Sequence, residues 1–167
     1  MAISTEAIRE LRERTGAGIM DVKRALEAAD GNQDQAEKAL REKGLTKAAS
    51  KGDRNTTEGV VDSYIHGAGR IGSLVELNCE TDFVARTPEF AELAHNIAMQ
   101  VAAMGAIYVA REDMPADDNR DPVEVCLLDQ PFIKESSKSI GDLIMDARAR
   151  VGENIKVSRI TRFGLGE

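Results

Sequence analysis

The chain has 167 residues, of which 42% are hydrophobic and only 4% aromatic, enough for one domain of ordinary size or a smaller one with a tiny module attached. A net charge of −7 favours solubility and argues against nucleic-acid backbone as the main ligand. Two cysteines, Cys79 and Cys126, supply neither a disulfide framework nor metal-ligand spacing, which suits a reducing cytoplasm. The opening Met1-Ala2-Ile3-Ser4 lacks the basic start and apolar core of a signal peptide. The most apolar stretch, 97–104, is interrupted by Gln100 and is far too short to span a bilayer. The expectation is a soluble cytoplasmic protein without a membrane partner.

Residues 1–44 read as three short helices. Ser4 is an N-cap, and Ile3 and Ile8 occupy the two positions of a hydrophobic staple. Ile8 and Leu11 mark the inner face, while Arg9–Glu13 and Glu10–Arg14 are four-spaced pairs on the outer one. Thr15-Gly16-Ala17-Gly18 ends this helix, because glycine takes the left-handed cap conformation without cost. Val22, Ala25, Leu26 and Ala29 form a second stripe, closed by Asp30-Gly31. Asn32 with Gln35 reads as a capping box for a third helix, with Ala36, Ala39 and Leu40 inside and Gly44 just past its end. Helices of that length bury little, so such a module is marginal alone. Residues 45–57 read as a tether. The excess of basic residues between Lys38 and Arg54 is that of a solvated helix end and linker.

A hairpin follows. Val61, Ser63 and Ile65 alternate with Val60, Asp62 and Tyr64, and a second alternating run extends from Ile71 to Cys79. The connection, Gly67-Ala68-Gly69-Arg70-Ile71-Gly72, fits the dinucleotide pattern G-x-G-x-x-G. That pattern holds a pyrophosphate only when its glycines open a helix. Here they open a strand, so they read as turn glycines. Thr87 and Pro88 start a long helix with the stripe Phe90, Leu93, Ala94, Ile97, Val101 and Ala102, ended by Gly105. Residues 111–124 are acidic and broken by proline, a connection with no core of its own. Ser139 with Asp142 is another capping box, before Leu143, Ile144, Ala147 and Val151, with Gly152 beyond the end. The run 155–163 alternates and is rich in β-branched residues, so it is a strand.

Catalytic readings find little support. The chain has no G-x-x-x-x-G-K-[ST] loop. A Cys79 nucleophile served by His66 is conceivable, but an inward-facing structural cysteine suits the alternation better. One stretch stands apart: Leu77-Asn78-Cys79-Glu80-Thr81-Asp82-Phe83-Val84, between the second strand and the long helix. An acid beside a large aromatic is unusual at a strand-to-helix turn. Phe83 is either tucked beneath Phe90 or meant for another molecule. Residue patterns by themselves reach a soluble α+β protein that works by binding.

Four runs carry a resemblance. Residues 10–26, written Glu10-Leu11-Arg12-Glu13-Arg14-Thr15-Gly16-Ala17-Gly18-Ile19-Met20-Asp21-Val22-Lys23-Arg24-Ala25-Leu26, resemble the N-terminal signature of bacterial translation elongation factor Ts. The runs Glu76-Leu77-Asn78-Cys79-Glu80-Thr81-Asp82-Phe83-Val84-Ala85, Gln130-Pro131-Phe132-Ile133-Lys134 and Val151-Gly152-Glu153-Asn154-Ile155 resemble the same family, in the same order. The resemblance implies a guanine-nucleotide exchange factor for elongation factor Tu. It implies a three-helix, ubiquitin-associated-like module (1–50) docking on the GTPase, followed by an α+β core and dimerisation domain (51–167) with a roughly three-stranded antiparallel sheet. Arg12, Ile19 and Met20 occupy the module's contact positions, although Met20 also suits a module core. Asp82 and Phe83, flanked by Thr81 and Val84, occupy positions that intrude near the partner's magnesium and phosphate site. No catalytic residue, metal ligand or cofactor is implied for this chain, since the GTPase carries GDP or GTP and magnesium. The rival reading is a ubiquitin-associated-like module on an unrelated α+β domain.

Two departures matter. Many relatives carry a longer helical segment ahead of the Gln-Pro-Phe run, and long members have a second core half absent here. One small sheet has two faces, and the helices at hand cover only one. A homodimer through the sheet, by an isologous contact, is therefore expected.

Overall fold

The computed structural model describes residues 3–167, so Met1 and Ala2, with the reading of the chain start that rests on them, lie outside the described residues. Helix α1 (Thr5–Thr15) begins where the Ser4 hydroxyl accepts the Ala7 N–H at 3.1 Å, and ends on Gly16 in the left-handed region. Helix α2 (Ile19–Ala28) follows, then α3 (Gln33–Ala49), whose start is capped by Asn32 Oδ1 accepting the Gln35 N–H at 3.0 Å. Leu11, Val22, Leu26, Ala36 and Leu40 form the module's core, with Ile3, Ile8, Ala25 and Ala29 packed against it. These are positions that helical periodicity singles out, except that Ala39, also expected inside, is exposed, since the buried stripe of α3 runs through Ala36 and Leu40.

The third helix does not stop at Gly44. It continues to Ala49, and the glycine has a different purpose. Where α3 crosses α7 (Ile140–Val151), a Cβ on Gly44 would stand 3.2 Å from the Cβ of Ala149. Glycine is there to let two helices approach, and tertiary packing overrides its low helix propensity. Arg41 reaches Asp146 of α7 at 3.6 Å, and Asp146 also pairs with Lys138 at 3.0 Å. Nor do residues 50–57 hang free. The Asn154 side-chain amide donates to the carbonyls of Gly52 (2.9 Å) and Arg54 (2.8 Å), and the Lys51 ammonium meets the Gly152 carbonyl.

The remainder is α+β, as expected: three N-terminal helices precede a three-stranded antiparallel sheet packed with helices. Strands β1 (Glu58–His66) and β2 (Ile71–Cys79) form the hairpin, and β5 (Ile155–Gly164) pairs with the other edge of β2. The glycine motif is its turn, with Gly67, Ala68 and Gly69 all at positive φ. Val75, Leu77 and Cys79 of β2 are fully buried beneath α5 (Pro88–Met104), which brings Phe90, Ala94, Ile97, Ala98 and Val101 to the same core. The Ser73 hydroxyl donates to the Ala98 carbonyl at 2.6 Å, a close helix-to-sheet approach that the small residues permit. Helix α7 completes the layer with Ile140 and Ile144, started by the reciprocal Ser139–Asp142 box.

Several short elements escape periodicity. Helix α4 (Asp82–Ala85) is a single turn, and α6 (Pro122–Val125) closes the end of the acidic connection, with Val125 buried. Strands β3 (Pro131–Phe132) and β4 (Glu135–Ser139) make a small ribbon. Gln100, the residue interrupting the apolar run, holds that ribbon. Its fully buried amide donates to Gln130 Oε1 (3.2 Å) and the Pro131 carbonyl (3.1 Å), and its Oε1 accepts the Ile133 N–H (3.0 Å). In the acidic connection, the Arg120 guanidinium forks over Asp118, which also accepts from the Tyr108 hydroxyl at 2.9 Å. These bonds, Arg120 first, hold the Asp118 carboxyl well below the usual carboxylate range.

The Gly44 contact is testable. Gly44→Leu is expected to cost about 1–3 kcal/mol through overpacking, although leucine is the better helix former by less than about 1 kcal/mol. Adding Ala149→Gly should restore part of the loss. Urea unfolding of the two variants checks this, and a Gly44→Leu protein more stable than the parent would refute it.

Candidate partner-binding site

The Asp82-Phe83 turn is built between two threonine caps. Thr81 caps α4, its hydroxyl accepting the Val84 N–H at 3.5 Å. Thr87 caps α5 by accepting the Phe90 N–H at 3.3 Å, and its own hydroxyl donates to the Val84 carbonyl at 2.8 Å. Ala85 is buried and Val84 packs partly against the core, so one side of the turn is anchored. Phe83 is on the other side and is 81% exposed, whereas Phe90 is 2% exposed within the core. The ring does not lie under the long helix. Asp82 pairs with Arg86 one turn on, at 3.0 Å, an exposed contact worth little to stability.

Beneath the turn lies a second segment that residue patterns left without a role. The Glu153 carboxylate accepts twice from Thr81, from its N–H at 3.0 Å and its hydroxyl at 2.6 Å. One residue earlier, Glu80 Oε1 accepts the Asn154 N–H at 2.6 Å and faces Arg54 at 3.5 Å. Arg148, half-buried, donates to the Ile155 carbonyl at 2.8 Å and frames this bend. Glu153 and Asn154 stand inside one of the runs that carry the family resemblance. Their partners are more than 70 residues away along the chain, so local spacing could not reveal the pairing.

The thiol alternative loses its geometry. Cys79 faces Glu58 at one end of the hairpin, and His66 faces Ile71 at the other, roughly 26 Å along the strands at about 3.3 Å per residue. The Cys79 thiol donates to the Thr81 carbonyl at 3.1 Å, and burial, aided by the Glu153 charge, pushes its pKa up. His66 and His95 instead pack on Tyr64, with His95 3.3 Å from Asp62.

On the module, Arg12 is exposed in the last turn of α1, and Ile19 and Met20 are exposed in the first turn of α2. Met20 is 59% exposed, so it is not a module-core methionine. The structure thus sets Arg12, Ile19 and Met20 around the α1–α2 connection, and Thr81, Asp82, Phe83 and Val84 on the core domain. A cleft of about 400 Å³ opens where module meets core. Its charges already face one another, as in Arg14–Glu37, Lys43–Asp21 and Arg41–Asp146. Among the described residues no group of three or more His, Cys, Asp or Glu could hold a metal ion. No helix among them is long and apolar enough to cross a membrane.

The α+β scaffold displays Phe83 on a turn capped by Thr81, an apolar contact surface held out of the core. The family model described as Elongation factor TS matches residues 22–121. Elongation factor Ts of Carboxydothermus hydrogenoformans is 48% identical, over 99% of this chain and 90% of that protein. Elongation factor Ts of Thermotoga maritima is 45% identical, over 100% of this chain and 98% of the relative. That of Fervidobacterium nodosum is 46% identical over the whole of both. The chain belongs to the elongation factor Ts family, and its role is that of a translation elongation factor. Because the match spans module and core alike, the reading of an unrelated α+β domain is set aside. The Thermotoga alignment runs over 195 positions against 167 residues here, so that relative has a stretch with no counterpart in this chain.

The two phenylalanines should respond oppositely to truncation. Phe83→Ala is expected to leave the melting temperature nearly unchanged, whereas Phe90→Ala should cost about 3–5 kcal/mol. Differential scanning calorimetry of both variants decides it, and a sharply lowered melting temperature for Phe83→Ala would place that ring in the core.

Proposed function

We propose that this chain is a guanine-nucleotide exchange factor for elongation factor Tu, acting without catalytic groups or a cofactor of its own. The observation that carries the reading is Phe83, held out of the core on the capped turn of α4. Exchange by binding requires that the nucleotide-free GTPase be bound better than the nucleotide-bound one. By linkage, the factor by which nucleotide weakens this protein's hold is the factor by which this protein weakens the nucleotide's. Hiding an exposed ring from water gains about 1.5–3 kcal/mol, released only when a partner pocket accepts it. That gain can drive partner helices apart. Asp82 brings negative charge toward the phosphate and magnesium held by the GTPase, with Thr81 and Val84 setting the turn. Residues 1–50 serve as the docking unit through Arg12, Ile19 and Met20, and residues 51–167 as the core domain.

A second copy of the chain covers the outer face of the sheet. That face presents exposed Val61, Ile65, Leu74 and Phe163, with Ile65, Gly72 and Phe163 aligned across the three strands. Three strands of this length project roughly 400 Å², and more in accessible surface because side chains stand up from it. A standard interface takes about 800 Å² per partner, so the face with its rim can form a modest dimer. Two such faces stack as the layers of a β-sandwich.

Two measurements test these readings. Phe83→Ala should weaken elongation factor Tu binding by 2 kcal/mol or more, about thirtyfold, and slow release of labelled GDP, whereas Asp82→Asn should slow release more than it weakens binding. Equal affinity and rate for Phe83→Ala and the parent would sink the wedge. Light scattering at micromolar concentration should give a dimer, and Leu74→Lys should give a monomer. A monomeric parent protein refutes the sheet contact.

A further inference from the structure

We infer that Glu153 and Asn154 are positioning residues that hold the Phe83 turn in register with the segment leading from the helical module, an inference resting on the exchange reading above. Glu153 takes both donors of the α4 cap residue, the Thr81 N–H and hydroxyl, at 3.0 and 2.6 Å. A carboxylate bond to two donors is short and strong. It also leaves the Thr81 oxygen free to accept from Val84, so the cap is polarised in the direction that helps it. Asn154 is next in sequence, and only its side chain faces away from the Phe83 turn. Its backbone N–H donates to Glu80, and its buried side chain donates to the Gly52 and Arg54 carbonyls. Both donors of that amide are used on the connection between α3 and β1. A single dipeptide therefore ties the turn that carries Asp82 and Phe83 to the chain that carries the module.

The two halves of this clamp have separable consequences. With the Glu153 contacts gone, α4 loses its lateral support while Phe83 remains present and exposed. The ring can still find its pocket, but not in the orientation that opens the nucleotide site. With the Asn154 amide gone, residues 52–54 loosen and the module no longer stands in a set relation to the core. The first loss falls on the rate at saturation, the second on the concentration needed to reach it.

The experiment measures labelled GDP release from elongation factor Tu against concentration of the full chain, for the parent, Glu153→Ala, Glu153→Gln and Asn154→Ala. Misplacement by about an ångström is enough for large losses in an oriented process. Glu153→Ala is expected to lower the saturating rate about tenfold with less than threefold change in half-saturation, and Glu153→Gln, which keeps an acceptor for the Thr81 N–H, to recover most of it. Asn154→Ala should raise half-saturation more than it lowers the saturating rate. Amide hydrogen exchange on the free proteins supplies an independent readout. Residues 84–86 should exchange faster in Glu153→Ala while residues 94–102 stay as in the parent. If 94–102 also loosen, or if the saturating rate is unchanged, the positioning role is overturned. A parent protein that fails to speed GDP release defeats the exchange reading instead, and the hydrogen-exchange comparison still decides whether the clamp exists.

Discussion

Strand β2 is the constraint from which the rest of the molecule follows. Its inner face, Val75, Leu77 and Cys79, is wholly removed from water, and both edges are paired. A central strand buried on one side needs a helix layer, which α5 supplies with small residues that bring it close. Because β2 ends at Cys79 and α5 begins at Pro88, the intervening chain has to reverse direction above the core. The turn that carries Phe83 is what that reversal leaves on the surface. Its position is a by-product of packing α5 against β2, and its conformation is set by two threonine caps and a carboxylate beneath.

Local rules read much of this from residues alone. Ser4, Thr87-Pro88, Gly105, Ser139 with Asp142 and Gly152 mark helix ends in the structure as capping chemistry predicts. Alternation found β2 and β5 because each has a buried face, and β1 because Val60 and Tyr64 are partly buried on one face while Val61, Ser63 and Ile65 are exposed on the other. What failed was whatever depends on distant neighbours. Gly44 has the look of a helix terminator, yet it is a crossing point with Ala149. The β3–β4 ribbon is too short to alternate, and its anchor, Gln100, is a polar residue in an apolar run. Whether Phe83 faced inward was undecidable by spacing. A single helical turn can present its aromatic to either side, and the neighbouring buried Ala85, with Val84 partly buried beside it, decides which.

The candidate site was legible in a different way. Residue patterns alone set the stretch from Leu77 to Val84 apart and left Phe83 either inward or meant for a partner, whereas the contact roles of Arg12, Ile19, Met20 and Thr81 to Val84 came from resemblance. The exposure of Ile19, Met20 and Phe83 is a structural finding with a physical meaning. Large apolar side chains left in water contribute little to the core of the free protein, so burying them against another molecule is a gain still available. The clamp residues Glu153 and Asn154 carried no such flag, since a Glu-Asn pair after a helix-ending glycine is ordinary turn chemistry.

Two of the exposed apolar features, the outer sheet face and Phe83, call for different kinds of partner. The outer sheet face is broad, rigid and built from residues spread over three strands, so covering it is a matter of area and suits a lasting contact between equals. Phe83 is one ring on one turn. A single anchor offers little area, and its value depends on how few degrees of freedom remain to be frozen when it engages. The capping bonds to Val84 and Phe90 and the two hydrogen bonds from Thr81 to Glu153 already fix the backbone of the turn, which leaves only the torsions of the ring itself to be frozen. A preorganised small anchor can deliver its binding energy in a defined direction and still be released. Those are the two properties that an exchange factor, which must leave once new nucleotide arrives, asks of its contact.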